Sequence, residues 1–347
     1  MKILYGIQGT GNGHISRARK MAAHLAARRV DVTYLLSGRP RDRLFDMECF
    51  GNFEHRRGLT MVQVNGKVDY VRTALETPVR EFIRDIRALD VSGYDVVITD
   101  FEPVTAWAAK LAGKTVIGIG HQYAFGHSIP QKGGNPIAKA VLRYFAPADI
   151  RIGLHWHHFN TGILPPIIDT GLCHRATDSE FVLVYLPFED QNKVTSLLQQ
   201  LSGYRFVQYS PDLNDGVSGN VQLRKTNLHG FRNDLQHASA VICNAGFELV
   251  AECIHIGIPV MVKPVRGQME QVSNAHALQH LHWGETLESL DADRMAHWLA
   301  NPQQIAGVHY PDVAGAITDW LLDREWTDQR GLWESLWAGT TTRAALA

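Results

Sequence analysis

The stretch Cys243-Asn-Ala-Gly-Phe-Glu-Leu-Val-Ala-Glu252 reads as an apolar strand, Ala240 to Cys243, turning through Gly246 into a helix that ends at Gly257. A second buried strand, Ile258 to Val262, follows. A strand-glycine-helix turn is an anion site: the freed amides of Gly246, Phe247 and Glu248 can point at a phosphate, and the helix dipole adds to the attraction. Glu252 lies one turn beyond Glu248 on the same helix face, where its carboxylate could accept both hydroxyls of a ribose. Glu270 and Gln271 open the next helix from the far side. Glu248 itself would repel a phosphate unless it faces a sugar or a cation.

A second constellation follows the opening strand: Gly9-Thr-Gly11-Asn12-Gly13-His14, then a helix from near Ile15. A dinucleotide fingerprint needs Gly-x-Gly-x-x-Gly and an acidic residue at the end of the second strand. Here the glycines run Gly-x-Gly-x-Gly and the second strand ends in Leu36-Ser37-Gly38-Arg39, which leaves only an NADP reading with Arg39 on the phosphate. His14, at a helix start, is kept neutral by the dipole and suits a hydrogen-bond donor or a base, or else merely caps the helix. Two further strand ends lie at the edge where open sheets place ligands. One is Thr99-Asp100-Phe-Glu102-Pro103 and the other Gly118-Ile-Gly120-His121-Gln122. The order of preference for a base is Asp100, then His14, then Glu102 and His121; the alternative makes Asp100 a helix cap and Glu102 a solvated side chain.

The order of parts in the second half resembles the donor-binding segment of sugar-nucleotide-dependent glycosyltransferases of the GT-B fold. Their pattern is a Gly-rich turn on the diphosphate, a Glu on the ribose, Gly-x-Pro, then Asp/Glu-Gln on the sugar hydroxyls, with Asn-Ala after it. Gly246, Glu252, Gly257, Pro259, Glu270, Gln271, Asn274 and Ala275 match by position. Asn244 stands where the natural-product branch has a phosphate-binding His, and Leu249 where it has Ser or Thr, so the resemblance implies a diphosphate held mostly by backbone amides. Gly-x-Gly-x-Gly-His resembles the acceptor-side loop of the MurG-like transferases that add N-acetylglucosamine to the lipid-linked peptidoglycan precursor, and implies Gly11, Asn12 and Gly13 beside the donor diphosphate.

The resemblance implies an inverting transfer of a hexose or N-acetylhexosamine from a nucleoside diphosphate, UDP by analogy, to an acceptor hydroxyl that is lipid-linked or on a glycan. The donor base would lie near Lys225 to Phe231, Lys263 or Arg266 would assist the diphosphate, and neither a metal nor a cofactor beyond the donor is expected. A UDP-sugar 2-epimerase and a non-catalytic nucleotide-sugar-binding protein are the rival readings.

These residues need a scaffold. The 347 residues suffice for two domains, and alternating strands and amphipathic helices predict an α/β chain of two Rossmann-like, doubly wound halves facing across a cleft. The expected division is 1–168 for the acceptor side and 169–323 for the donor side; the resemblance implies a last helix over 324–347 that packs back on the first, and the alternative is an exposed amphipathic end. Within the first half, a helix from Ile15 to Arg29 turns Ala18, Ala22, Leu25 and Ala26 inward, and another spans Glu76 to Leu89. Apolar residues make up 45% and charged residues 20%, as in a globular enzyme, and 34 Lys and Arg against 35 Asp and Glu give no field that favours nucleic acid. Four scattered cysteines suit a reducing cytoplasm. No stretch reaches the ~20 apolar residues of a membrane span, so membrane contact is expected to be at most peripheral. His155, His157, His158, Cys173 and His174 fit no closed zinc site and read as structural. The apolar region Phe145 to Ile168 suits either a lipid-linked or aromatic acceptor or interdomain packing.

Overall fold

The protein is described here by a computed structural model covering residues 1–134, 136–173 and 181–342. The first sheet contains β1 (Lys2–Gln8), β2 (Asp31–Ser37), β3 (Glu54–His55), β4 (Val96–Asp100), β5 (Val116–Gly120) and β6 (Ile150–Gly153), in the order β3-β2-β1-β4-β5-β6. Every pairing in it is parallel. The central strands are buried along almost their whole length because helices cover both faces, the burial pattern of a parallel sheet.

The second sheet contains β7 (Phe181–Tyr185), β8 (Arg205–Ser210), β9 (Gly216–Ser218), β10 (Val221–Lys225), β11 (Ala240–Asn244), β12 (Val260–Lys263) and β13 (Glu285–Thr286), in the order β9-β10-β8-β7-β11-β12-β13. Only the edge pair β9 and β10 is antiparallel. Both sheets therefore reverse their winding once, between β1 and β4 and between β7 and β11. Ligands in doubly wound sheets lie at such a reversal, beyond the carboxyl ends of the strands.

The helices that build the cleft are α1 (Asn12–Ala27), α2 (Pro103–Leu111), α3 (Pro136–Tyr144), α4 (Phe247–Ile256), α5 (Met269–His280), α6 (Val313–Asp323) and α7 (Arg330–Ala338). α4 ends where Gly257 turns left-handed at φ 76°, a conformation that glycine adopts without steric cost. One apolar core runs from Ile3 and Met21 through Trp156 and Phe247 to Val250 and Ile317, so the two sheets share it.

Several elements differ from the sequence expectations. α1 begins at Asn12, and Ala26 is exposed while Arg17 and Met21 join the buried face. The helix expected over Glu76 to Leu89 is split into Tyr70–Glu76 and Val79–Ala88, because Pro78 cannot carry the helical hydrogen bonding through; Val79 and Ile83 are exposed. α6, read as closing the second half, lies against α1, with Arg28 Nε donating to Asp319 Oδ1 at 2.5 Å. The tail holds α7 and then Thr341–Thr342, paired antiparallel with Val308–His309, and Trp337 Nε1 donates to the Ile163 carbonyl at 2.6 Å. His174 and residues 343–347 lie outside the described residues.

Candidate active site

The two winding reversals face each other across a cavity of about 250 Å³. From the first sheet come Gln8 to His14 and Phe101; from the second come Tyr185 to Phe188 and Asn244 to Leu249, with Met269, Glu270 and Gln271 at the head of α5. One wall is apolar, formed by Ala138, Val141 and Leu142 of α3 and by Phe145 just after it.

His14 lies in the first turn of α1, and its Nδ1 is 2.6 Å from Asp100 Oδ1 at the end of β4. A carboxylate only accepts, so Nδ1 carries the proton, and in the neutral ring the lone pair is then on Nε2. Asp100 is fully buried and accepts twice more from Arg17, Nε to Oδ2 at 2.8 Å and Nη2 to Oδ1. Burial pushes the Asp100 carboxyl up, but Arg17 and His14 outweigh it and hold the group below the usual range. With both oxygens occupied and no exposed surface, Asp100 cannot reach an acceptor, which reverses the order in which Asp100 and His14 were ranked as base. Beside it Phe101 has φ 52°, backbone strain at the mouth of the cavity.

Glu102 is a correction. It caps α2: Oε1 accepts from Val104 N at 2.9 Å and Ser37 Oγ at 2.6 Å, and Oε2 from Thr105 N at 2.7 Å and Thr105 Oγ1 at 2.6 Å. Burial raises its pKa against those bonds, and it does not line the cavity. His121 is also unsuited to be a base. It is buried, with Nδ1 2.9 Å from the Leu154 carbonyl and Nε2 2.6 Å from Asn274 Oδ1, and burial lowers its pKa. Its ring stacks on Phe247 at 4.1 Å, and Trp156 stacks on the other side of the group at 5.5 Å from Phe247. Trp156 Nε1 donates to the Phe247 carbonyl at 3.2 Å, so this part of the Phe145 to Ile168 region packs the halves together, whereas Phe145 lines the cavity. His155 is buried in the same aromatic group.

On the donor side, the amides of Phe247 and Glu248 open α4 at the cavity, where Gly246 provides no side-chain cap for them; the Gly246 amide itself, expected to be free, donates to the Asn244 carbonyl at 2.7 Å. Glu248 faces a cation: its Oε1 accepts from Arg17 Nη1 across the cleft. Gly13 passes so close that a Cβ there would stand 2.2 Å from Glu248 Oε2. Asn12 Nδ2 donates to Tyr185 Oη at 2.8 Å, and Arg39 Nη1 donates back to Asn12 Oδ1 at 2.8 Å, so Arg39 turns inward to brace the loop. Glu252 does not line the cavity, and among the described residues it has no hydrogen-bond partner; burial, opposed by Lys20 and Arg232, lifts its pKa to about 7. Gln271 Oε1 accepts from Val265 N at 3.0 Å and so shapes the loop before α5.

Lys263 is not free for a phosphate. Its Nζ donates to Glu189 Oε1 at 2.6 Å, and both side chains are 6% exposed. Lys225 to Phe231 lie outside the cavity lining, and Phe231 packs edge-on against Tyr185 and Tyr209. Arg266 is held through its backbone: its N donates to the Gly66 carbonyl at 2.8 Å, and its carbonyl accepts from Val68 N at 2.9 Å. The hairpin Gln63–Val64 and Lys67–Val68 thus straps the first half to the second, helped by Tyr70 Oη donating to the Gly267 carbonyl at 2.7 Å.

The sequence reading missed Arg17, Tyr185, Gln8 and Gln122. Arg17 follows His14 by one helical step on the face that apolar spacing alone defines, and its charge on that face was the available signal. Gln8, Gln122 and Asn244 share a property: each side chain is buried, lines the cavity and has an amide oxygen without a partner among the described residues. Their NH₂ groups donate to the Leu59 carbonyl, Glu270 Oε2 and the Lys263 carbonyl at 2.9, 3.0 and 2.9 Å, which fixes which end is oxygen.

The model of glycosyl transferase family 1 matches residues 1–302. The chain belongs to that family. Among solved structures, the glycotransferase of kitacinnamycin is 15% identical with a TM-score of 0.56, covering 86% of this chain and 89% of its own. MurG of Acinetobacter baumannii is 15% identical at TM-score 0.50, over 97% of this chain and 100% of its own. The spinosyn rhamnosyltransferase SpnG, solved with thymidine diphosphate, is 12% identical at TM-score 0.54, over 86% and 91%. No curated protein matches the sequence. The fold of this glycosyltransferase is GT-B, two doubly wound sheets facing across a cleft. Among the described residues of the enzyme no helix is long and apolar enough to cross a membrane, and no group of three or more His, Cys, Asp or Glu could hold a metal ion.

Proposed function

We propose that the glycosyltransferase moves a hexose or N-acetylhexosamine from a pyrimidine nucleoside diphosphate, UDP first, to an acceptor hydroxyl with inversion. The observation that carries the sugar is the trio of fixed amide oxygens on Gln8, Gln122 and Asn244 that line the cavity without a partner among the described residues: a ligand rich in O–H or N–H donors would satisfy all three. Glu270, held by Gln122, adds a carboxylate to the same subsite.

His14 would take the acceptor's proton at Nε2 while Asp100 orients the ring and stabilises the imidazolium that forms, as a buried carboxylate does for a general base. The diphosphate would lie between the glycine loop, Gly11 to Gly13, and the amides of Phe247 and Glu248. Glu252 would accept the ribose hydroxyls, which supply the donors it lacks. Inversion and the pyrimidine both rest on the resemblance, and a neighbour solved with thymidine diphosphate adds support for the pyrimidine. No resident metal or cofactor enters this reading.

The apolar wall on α3 favours an acceptor with an aromatic or lipid portion, and Ile137 and Tyr144 expose the outer side of that helix at 65% and 56%. Peripheral contact at the inner face of a membrane is the corresponding location. The test is calorimetry with UDP, TDP, GDP and CDP, followed by hydrolysis of the matching nucleotide sugars and ¹H NMR of the anomeric product. A UDP or TDP preference with an inverted product supports the reading; binding of none of the four overturns it.

A further inference from the structure

Arg17 is 1% exposed, yet it belongs to both halves of the molecule. Its Nε and Nη2 hold Asp100, while Nη1 reaches over the cleft to Glu248. The carboxylate of Glu248 thereby fills the gap between Gly13, the uncapped first turn of α4 and the guanidinium. That gap collects a cation, freed amides and a glycine that leaves room for an anion. A side-chain carboxylate of the protein itself already stands in it.

We propose that Glu248 is a tethered stand-in for the donor's diphosphate. In the empty enzyme it neutralises Arg17 and closes the cleft; a nucleoside diphosphate enters by displacing it, and Arg17 Nη1 then faces the diphosphate as its fixed cation. The proposal rests on the glycosyl-transfer reading given above and adds to it the residue that receives the leaving group.

Charge and space both favour displacement over coexistence. Asp100 and Glu248 both pair with Arg17, and Glu270 acts on the same guanidinium, so a diphosphate added beside Glu248 would meet carboxylates that already share one cation. The cavity of about 250 Å³ suits a sugar and is smaller than the roughly 300–1,000 Å³ of sites for whole drug-sized ligands. Glu248 lines it, while Glu252, one turn along the same face of α4, does not. Moving Glu248 off Arg17 joins the sugar subsite to the ribose carboxylate.

The experiment is isothermal calorimetry of UDP, TDP and uridine with the wild-type enzyme, Glu248→Gln and Glu248→Asp. Removing the charge should tighten UDP about five- to tenfold and leave uridine unchanged, while Glu248→Asp, which keeps the charge, should gain little. Should Glu248→Gln not fold, Glu248→Ala, a strong helix former, makes the same comparison. UDP affinity that stays level or falls in the uncharged variant overturns the stand-in while wild-type binding leaves the donor reading in place. An equal gain for uridine overturns it too, because the effect would then not act on phosphate. Wild-type enzyme that binds neither UDP nor TDP overturns the donor reading and the stand-in together.

Discussion

His14 stands on Asp100 with 2.6 Å between Nδ1 and Oδ1, and the same carboxylate is clamped by Arg17. The ring is fixed in one tautomer from below, and the charge that fixes it is neutralised from the side. Replacing His14 by Ala should lower kcat by about 10²–10⁴ with UDP affinity nearly unchanged. Steady-state kinetics set beside calorimetry checks this, and a parallel loss of UDP affinity would count against His14 as the base. Asp100→Asn should also lower kcat, and in addition destabilise the fold by about 1.5–3 kcal/mol, because two Arg17 nitrogens lose a charged acceptor and Glu248 is left as its charge partner.

Glu102 gives the contrasting case of a buried carboxylate at the same sheet edge. Its four accepted hydrogen bonds tie β2 to the start of α2. Glu102→Ala should cost at least about 1–2 kcal/mol, the usual loss of a helix cap, with kcat per folded molecule retained. Urea unfolding and active-site titration on the same preparation separate the two quantities.

Glu252 makes stability depend on pH. Its carboxyl is lifted from 4.5 to about 7 in the fold, so the folded chain binds more protons than the unfolded one between those values. Stability is therefore highest below pH 4.5 as far as this group is concerned, and falls as pH rises through 7, by up to about 3 kcal/mol. Glu252→Gln should flatten that slope and raise Tm at pH 8 while changing it little at pH 5. Lys20 acts in a separate window: burial, with Arg232 nearby, lowers it to about 8, so its effect lies above neutrality. Melting curves from pH 5 to 8 for both proteins decide the matter, and identical slopes would refute it.

Lys263 and Glu189 form a buried pair, so Lys263→Met alone should destabilise by about 3–5 kcal/mol through the charge left behind. Changing both to apolar residues should recover most of that loss. If Lys263 instead served the diphosphate, the single variant would fold normally and lose UDP affinity.

The donor turn was legible because its signals are local: an apolar strand, Gly246, a helix and the left-handed Gly257 follow in order. His14 and Asp100 were found separately from their places at strand ends. Their division of labour was not, since it depends on Arg17, which the sequence reading did not single out. Glu248 posed a charge problem in the sequence whose solution comes from the other half of the chain, and no one-dimensional pattern encodes how the halves meet. Lys263 and His121 were misplaced for the same reason: their partners, Glu189 and Asn274, are remote in sequence. Pro78 was different, a local breaker whose signal was visible inside the run from Glu76 to Leu89. The edge strand Gly216–Ser218 carries little pattern to read, with Val217 at 77% exposure.

The hairpin that joins Gly66 and Val68 to Arg266 covers the cavity with backbone from both halves. A clasp made of two parts exists only where they meet, so whatever parts the halves must first break its backbone hydrogen bonds between Gly66, Val68 and Arg266 and the one that Tyr70 donates to Gly267.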